Sequence, residues 1–245
     1  MNSIILCEGY SDFVFLQYYM RKMYAWEDQR QYKTGLENKV RRVRTLTKDG
    51  SFLSIGGCGG CSNILPVFDY ICERNSLSAD GEDYGKIVII TDRDEVDTEK
   101  IFSARTEEIL QKWHMQCEDK IVNNAWCKYR YVNGEGLSCT VKILLLVIPF
   151  EETGALESFL LHAVAADDPY DGGIISACER FVESVDPRNR YLIKRRHITK
   201  AKFDVYFSVR TSAEQFVERQ NIFMRVPWEK SADLQKKFEK LGDLQ

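Results

Sequence analysis

The run Ile87-Val88-Ile89-Ile90 constrains this chain more than any other feature. Four β-branched residues in succession, with no polar alternation, suit a strand buried on both faces, as in a parallel sheet covered by helices. Ser3 to Cys7 reads as an earlier core strand, closed by Glu8-Gly9. Ser11 or Asp12 can cap the helix that follows, which carries Phe13, Phe15, Leu16, Tyr19, Met20 and Met23 at helical spacing. Ser51 to Ile55 reads as the second strand and runs into Gly56-Gly57-Cys58-Gly59-Gly60; a helix from about Ser62 carries Ile64, Leu65, Val67, Phe68 and Ile71. Ile87 to Ile90 is then the third strand, followed by a helix between about Asp97 and Trp113.

Lys128 to Val132 and Cys139 to Ile148 flank the hairpin signal Asn133-Gly134-Glu135-Gly136, and the second arm ends in a fourth core strand, Leu144 to Pro149. A helix from Gly154 or Ala155 to about Ala165 comes next, and the remainder reads as mostly helix interrupted at Pro169, Pro187 and Pro227. This order predicts an α/β fold: a Rossmann-like, mostly parallel sheet flanked by helices, with a mainly helical C-terminal extension. The expected division is 1–165 for the catalytic domain and 166–245 for the extension packed on it.

In an open α/β sheet, ligands gather at the carboxyl ends of the strands. Glu8 follows the first strand, while Asp92 and Asp94 follow the third, so parallel strands would bring all three to one rim. Hard oxygen ligands crowded together suit Mg²⁺ or Mn²⁺; uncompensated, they would take up protons. Asp12, four residues after Glu8, can face the same site or simply complement the helix dipole.

The formal net charge of −3 hides two basic clusters. One is Lys39, Arg41, Arg42, Arg44 and Lys48; the other is Lys194, Arg195, Arg196, His197, Lys200 and Lys202. Arg41, Arg42, Arg44, Arg195 and Arg196 are the candidate contacts to a phosphate backbone, although solvated faces of ordinary elements account for either cluster. Trp126, Tyr129 and Tyr131, beside Lys128 and Arg130, could stack on single-stranded bases or belong to an edge hairpin with alternating faces.

Eight cysteines without framework spacing read as free thiols in a reducing compartment. Cys58-Gly-Gly-Cys61 would need Cys117 and Cys127 to complete a zinc site, and small residues in a tight turn explain it better. The longest apolar run, Ile143 to Phe150, is too short for a bilayer, and no secretory signal is visible at Met1; a cytoplasmic protein without membrane contact is expected.

Ile4-Ile5-Leu6-Cys7-Glu8-Gly9-Tyr10-Ser11-Asp12, taken with Ile87-Val88-Ile89-Ile90-Thr91-Asp92-Arg93-Asp94, resembles the Toprim (topoisomerase–primase) domain family over roughly residues 1 to 165. The Ser54-Ile55-Gly56-Gly57 turn and the Glu8/Asp12 spacing are similar to standalone Toprim proteins and the overcoming-lysogenization-defect (OLD) nuclease branch. The resemblance implies that Glu8, Asp92 and Asp94 hold magnesium, and that Glu157, in Gly154-Ala155-Leu156-Glu157-Ser158-Phe159-Leu160, serves a second ion. It also implies a basic catalytic residue, with Lys200 and Lys202 both available.

The expected function is therefore Mg-dependent phosphodiester chemistry on nucleic acid, DNA in preference to RNA. A nuclease needs least beyond the core, and the resemblance implies a setting in phage defence or mobile elements. Glu8 could also act as a general acid or base. There is no GxxxxGK[ST] loop, so an ATPase or other protein is a possible partner, as is self-association. The alternative is a non-catalytic nucleotide- or nucleic-acid-binding module acting with a partner. A response-regulator-like acidic pocket fits the DxD and Glu8-Gly9 less well.

Overall fold

Alternate residues of the central strands point into two separate apolar layers, so each strand is buried on both sides. Ile5, Cys7, Val88, Ile90, Leu144, Leu146 and Ile148 face one layer; Ile4, Leu6, Ile87, Ile89, Ile143, Leu145 and Val147 face the other. A fully buried branched side chain is worth roughly 1.5–3 kcal/mol, and this double row accounts for the unbroken apolar runs. The computed structural model describes residues 2–29, 34–79, 83–117, 119–211, 223–224 and 226–244.

The chain runs β1 (Asn2–Cys7), α1 (Tyr10–Tyr24), β2 (Glu27–Asp28), β3 (Arg42–Lys48), β4 (Ser51–Gly57), α2 (Cys61–Leu77), β5 (Tyr84–Asp92) and α3 (Thr98–Lys112). It continues through β6 (Trp126–Val132), β7 (Ser138–Ile148), α4 (Leu156–Asp167), α5 (Pro169–Val185), α6 (Arg195–Arg210) and α7 (Ala232–Lys237). The seven strands form one sheet in the order β2-β3-β4-β1-β5-β7-β6. The pairings β4-β1, β1-β5 and β5-β7 are parallel, while β2-β3, β3-β4 and β6-β7 are antiparallel.

The sheet is therefore mixed, a parallel core with antiparallel edges, and not the mostly parallel sheet expected from sequence. The β6–β7 hairpin agrees with its turn signal; the difference comes from β2 and β3, which add two antiparallel pairings at the other edge. β3 and β4 meet at Asp49 and Gly50, both at positive φ (47° and 77°), the conformation an Asp-Gly hairpin turn requires. β6 alternates its faces, burying Cys127, Tyr129 and Tyr131 and exposing Lys128 and Arg130. Tyr131 donates to Asp83 Oδ2 at 2.8 Å, so Tyr129 and Tyr131 pack in an edge hairpin and are not displayed for stacking on bases.

Helices α2 and α3 cover one face of the sheet. Helices α1, α4, α5, α6 and α7 contribute to the layer on the other, where Phe159, Phe203, Phe207, Trp228, Phe238 and Leu244 join Phe15 and Tyr19. The helical run breaks at Pro169 as expected, α4 ending at Asp167 and Pro169 opening α5: Asp168 caps it, accepting the Tyr170 amide at 2.9 Å, and proline's missing N–H costs nothing in a first turn. Of the C-terminal extension read as mainly helical, 212–222 lies outside the described residues. Among the described residues, no helix is long and apolar enough to cross a membrane.

Candidate metal centre

β1 and β5 are neighbours running in parallel, with Cys7 opposite Ile90. Glu8, one residue past β1, and Asp92, the last residue of β5, leave the sheet at the same rim. A pocket there is lined by Glu8, Asp12, Asp92, Asp94 and Glu157, together with Tyr10, Ser11, Thr199 and the cations Arg195, Arg196 and Lys200. The structure thus brings together all five acidic residues singled out in the sequence.

Helix N-termini converge on these carboxylates. The Gly9 amide, at the start of α1, donates to Asp12 Oδ2 at 2.8 Å, so Asp12 closes the first turn from its third position instead of capping it. The Leu156 amide, opening α4, donates to Asp92 Oδ1 at 3.0 Å. Backbone amides of Asp92 and of Cys61, the first residue of α2, reach the Glu8 carboxyl. The amides of Gly9, Cys61 and Leu156, at helix starts, lack partners within those helices and favour negative charge.

Burial and mutual repulsion nevertheless win. The Glu8 carboxyl is pushed up to about 7, by burial first and then by Asp12 and Asp94, against the pull of the two amides. Burial and then Glu157 raise Asp12, opposed by the Gly9 amide and Lys200. Asp92 is raised well above the carboxylate range by burial, then by Asp12, Glu8 and Glu157. Glu8, Asp12 and Asp92 therefore share protons unless a cation replaces them.

Glu8 Oε2 is buried and has no hydrogen-bond partner. An orphaned carboxylate oxygen facing acidic neighbours fits a missing positive ligand, and an all-oxygen donor set fits Mg²⁺ or Mn²⁺ rather than a soft metal. Among the described residues, no three acidic, imidazole or thiol groups stand close enough to hold an ion as they are. The carboxylates line a cavity and do not form a closed cage; Mg²⁺ commonly binds through one or two carboxylates and keeps several waters.

The connections around the pocket are tied down by two arginines. Arg93, between the two aspartates, is buried; its Nε donates to Pro149 O at 2.8 Å and its guanidinium also reaches Phe150 O and Glu99, each at 2.8 Å. The Arg93 amide donates to Ile148 O at 2.6 Å, and the Gly154 amide to Arg93 O at 2.9 Å. The loop after β5 is thereby locked to the loop leading into α4. Arg195, in the first turn of α6, donates to the carbonyls of Asp94 and Arg93. On the opposite side the amides of Gly59 and Gly60 donate to Glu8 O at 2.8 and 2.9 Å. Gly59 holds φ +82°, and a β-carbon there would lie 2.6 Å from the Arg41 side chain.

The basic residues divide. Lys200 and the two arginines Arg195 and Arg196 line the pocket, whereas Lys202 pairs with Glu183 at 2.7 Å and is not brought to it. Arg41 and Arg42 line an adjoining groove with Gly9, Tyr10, Gly57 and Gly59, and the Arg42 guanidinium lies 4.2 Å from the Tyr10 ring centre. Arg44 is held by Asp28 in a two-pronged ion pair at 2.5 Å. Tyr10 and Arg93 were not singled out from sequence. The signal for Tyr10 was an aromatic opening the first helix directly after the Glu-Gly turn. Cys127 sits on β6, separated from β4 by β1, β5 and β7, so the thiols of Cys58 and Cys61 are not joined by Cys117 and Cys127.

The model of a family described as a protein of unknown function, DUF3226, matches residues 2–240. The chain belongs to that family. This corrects the Toprim resemblance: the matching family is a different one, it extends through the C-terminal helices, and no Toprim family matches. Residue roles in topoisomerases, primases and OLD nucleases therefore do not carry over to Glu8, Asp92, Asp94 or Glu157. No curated protein matches the chain. A hypothetical protein from Pyrococcus horikoshii OT3 has a similar fold, with a TM-score of 0.53 at 16% identity over 98% of each chain. A lactoylglutathione lyase from Agrobacterium tumefaciens aligns over 58% of this chain and 91% of its own, at 10% identity and a TM-score of only 0.18.

Proposed function

We propose that the carboxylate pocket binds Mg²⁺ or Mn²⁺ and hydrolyses phosphodiester bonds in nucleic acid, DNA in preference to RNA. The observation that carries this reading is the buried, partnerless Glu8 Oε2 in a pocket whose carboxyl groups are flanked by Arg195, Arg196 and Lys200. Glu8, Asp92 and Asp94 would hold the ion, with Asp12 and Glu157 on hand for a second. A divalent ion there would supply charge neutralisation at the phosphoryl oxygens and acidify a bound water.

The chain's own groups would do the rest. Lys200 and Arg196 would orient the phosphate beside the carboxylates, and Arg41 and Arg42 would guide the neighbouring backbone along the adjoining groove. If Asp92 and Asp94 alone hold the ion, the raised Glu8 carboxyl could accept a proton from the attacking water or return one to the leaving oxygen. Arg195 would keep the aspartate loop in place through its carbonyls.

A second reading is a nucleotide- or nucleic-acid-binding module without catalysis, working with an ATPase, another protein or a second copy. It is favoured by the absence, among the described residues, of three ligands already grouped around one point. A cleavage assay on supercoiled plasmid, linear duplex, single-stranded DNA and RNA, with Mg²⁺, Mn²⁺ or chelator, separates the two. Metal-dependent cutting is expected, lost on combining Asp92→Ala with Asp94→Ala. Oligonucleotide binding without cutting would favour the module, and binding of neither metal nor oligonucleotide would overturn both.

A further inference from the structure

At the sheet edge farthest from the Gly-rich turn, Cys117 and Cys127 bring their sulfurs to 2.9 Å. Cys127 lies on the buried face of β6, while Cys117 is half-exposed and follows α3. The two segments are already registered: the Gln116 amide donates to Arg130 O at 2.8 Å, and the Arg130 amide returns a bond to Gln116 O at 2.9 Å. Asp119 spans the pair, its amide donating to Cys117 Sγ and its carbonyl accepting from Cys127 Sγ.

We infer that Cys117 and Cys127 are a reversible dithiol–disulfide pair, a site at which a low-molecular-weight disulfide oxidises this protein. A disulfide bond needs the sulfurs at about 2.05 Å, so a closure of under about 1 Å suffices. A tetrahedral zinc site needs four ligands, and among the described residues no third acidic, imidazole or thiol group joins these two thiols. The adjoining surface pocket is lined by Gln116, Cys117, Asp119, Lys128 and Arg130, so two cations and one carboxylate stand at the point of entry, a positive balance that suits a carboxylate-bearing disulfide such as oxidised glutathione.

The half-exposed Cys117 is the thiol an incoming disulfide meets first. Its thiolate attacks one sulfur, forming a mixed disulfide and expelling one glutathione thiolate. Cys127 then gives up its proton and attacks Cys117 Sγ, expelling the second. The balance is two protein thiols plus one small disulfide yielding one protein disulfide and two small thiols. Burial and then the hydrogen bond with Cys117 push the Cys127 thiol up to about 12, which keeps it protonated until that second step. The device is independent of the carboxylate pocket.

The test is intact mass and peptide mapping of the full chain after equilibration in glutathione buffers of graded ratio, with free thiols alkylated afterwards. The expected result is a Cys117–Cys127 crosslinked peptide that forms with oxidised glutathione, disappears with the reduced form, and raises Tm. Cys127→Ser should instead trap glutathione on Cys117. A glutathione adduct that persists on Cys117 in the wild type, or alkylation of both thiols at every ratio, would overturn the inference. Mapping the wild-type chain keeps the result readable even where the serine variant folds poorly.

Discussion

The amide of Leu156 donates to Asp92 Oδ1 at 3.0 Å, so the first turn of α4 is hydrogen-bonded to the last residue of β5 across 64 positions of sequence. This bond couples the position of Glu157, the next residue along α4, to the acidic loop after β5. It also means that the site is assembled only when β5, β7 and α4 are all in place.

Asp92→Asn should leave that hydrogen bond available, since the amide oxygen can still accept, while removing one charge from a repelling cluster. We expect the metal-free variant to be more stable than wild type by about 1 kcal/mol near neutral pH. It should also lose the upward Tm shift that Mn²⁺ gives the wild type. Thermal unfolding with chelator and with Mn²⁺ checks both; a variant less stable than wild type in chelator would mean that repulsion is already relieved.

The metal-free protein should become less stable as pH rises. Glu8 is raised from 4.5 to about 7 by folding, so between those values the folded state holds a proton that the unfolded chain has released. The stabilisation is complete below 4.5 and lost as pH rises through about 7. The upward shifts of Asp12 and Asp92 act in the same direction. Unfolding midpoints in chelator across this window should fall, Glu8→Gln should flatten the slope, and saturating Mg²⁺ should stabilise more at the alkaline end.

Arg93→Ala should be the most damaging single change near the site. It leaves the carbonyls of Pro149 and Phe150 and the Glu99 carboxylate without their shared donor. Because Arg93 is buried, a loss of about 3 kcal/mol is expected in denaturant unfolding. Arg93→Lys should recover only part of it, because an ammonium does not match the guanidinium fork.

Oligonucleotide affinity should separate the lysines of α6. Lys200→Ala should weaken binding and lower the salt slope by about 1, the signature of one lost phosphate contact. Lys202→Ala and Arg44→Ala should change neither, because those cations are held by Glu183 and by Asp28. Fluorescence anisotropy over a range of salt concentrations measures both quantities. Equal effects of Lys200 and Lys202 would place the nucleic acid elsewhere.

Much of the parallel core was legible because burial on both faces leaves a local mark. The apolar runs at Ile4–Leu6, Ile87–Ile90 and Leu144–Ile148 need no partner to be recognised, and residues just past their carboxyl ends were the natural place for Glu8, Asp92 and Asp94. β3 was not legible in the same way. Its apolar residues Val43 and Leu46 fall on opposite faces and Arg44 shares a face with Leu46, so the stretch lacks a strand's clean alternation and read as a basic cluster, and the Asp49-Gly50 turn that pairs it with β4 was passed over. The family assignment lay beyond motif reading too: short Glu-Gly and Asp-x-Asp patterns at strand ends are shared too widely to identify a lineage, whereas the family match extends over residues 2–240.

By itself, then, the sequence determined the core strands, the helices that follow them and the rim to which the acidic residues are carried, because hydrophobic period and strand ends are local properties of the chain. Only the tertiary structure decided the partners. It turned Lys200 toward the carboxylates and Lys202 toward Glu183, consumed Arg44 in a pair with Asp28, buried Glu8 Oε2 without a donor, and set Cys117 against Cys127. Two lysines two residues apart on a helix differ by about 200° in direction, and which direction faces a pocket depends on what packs against that helix.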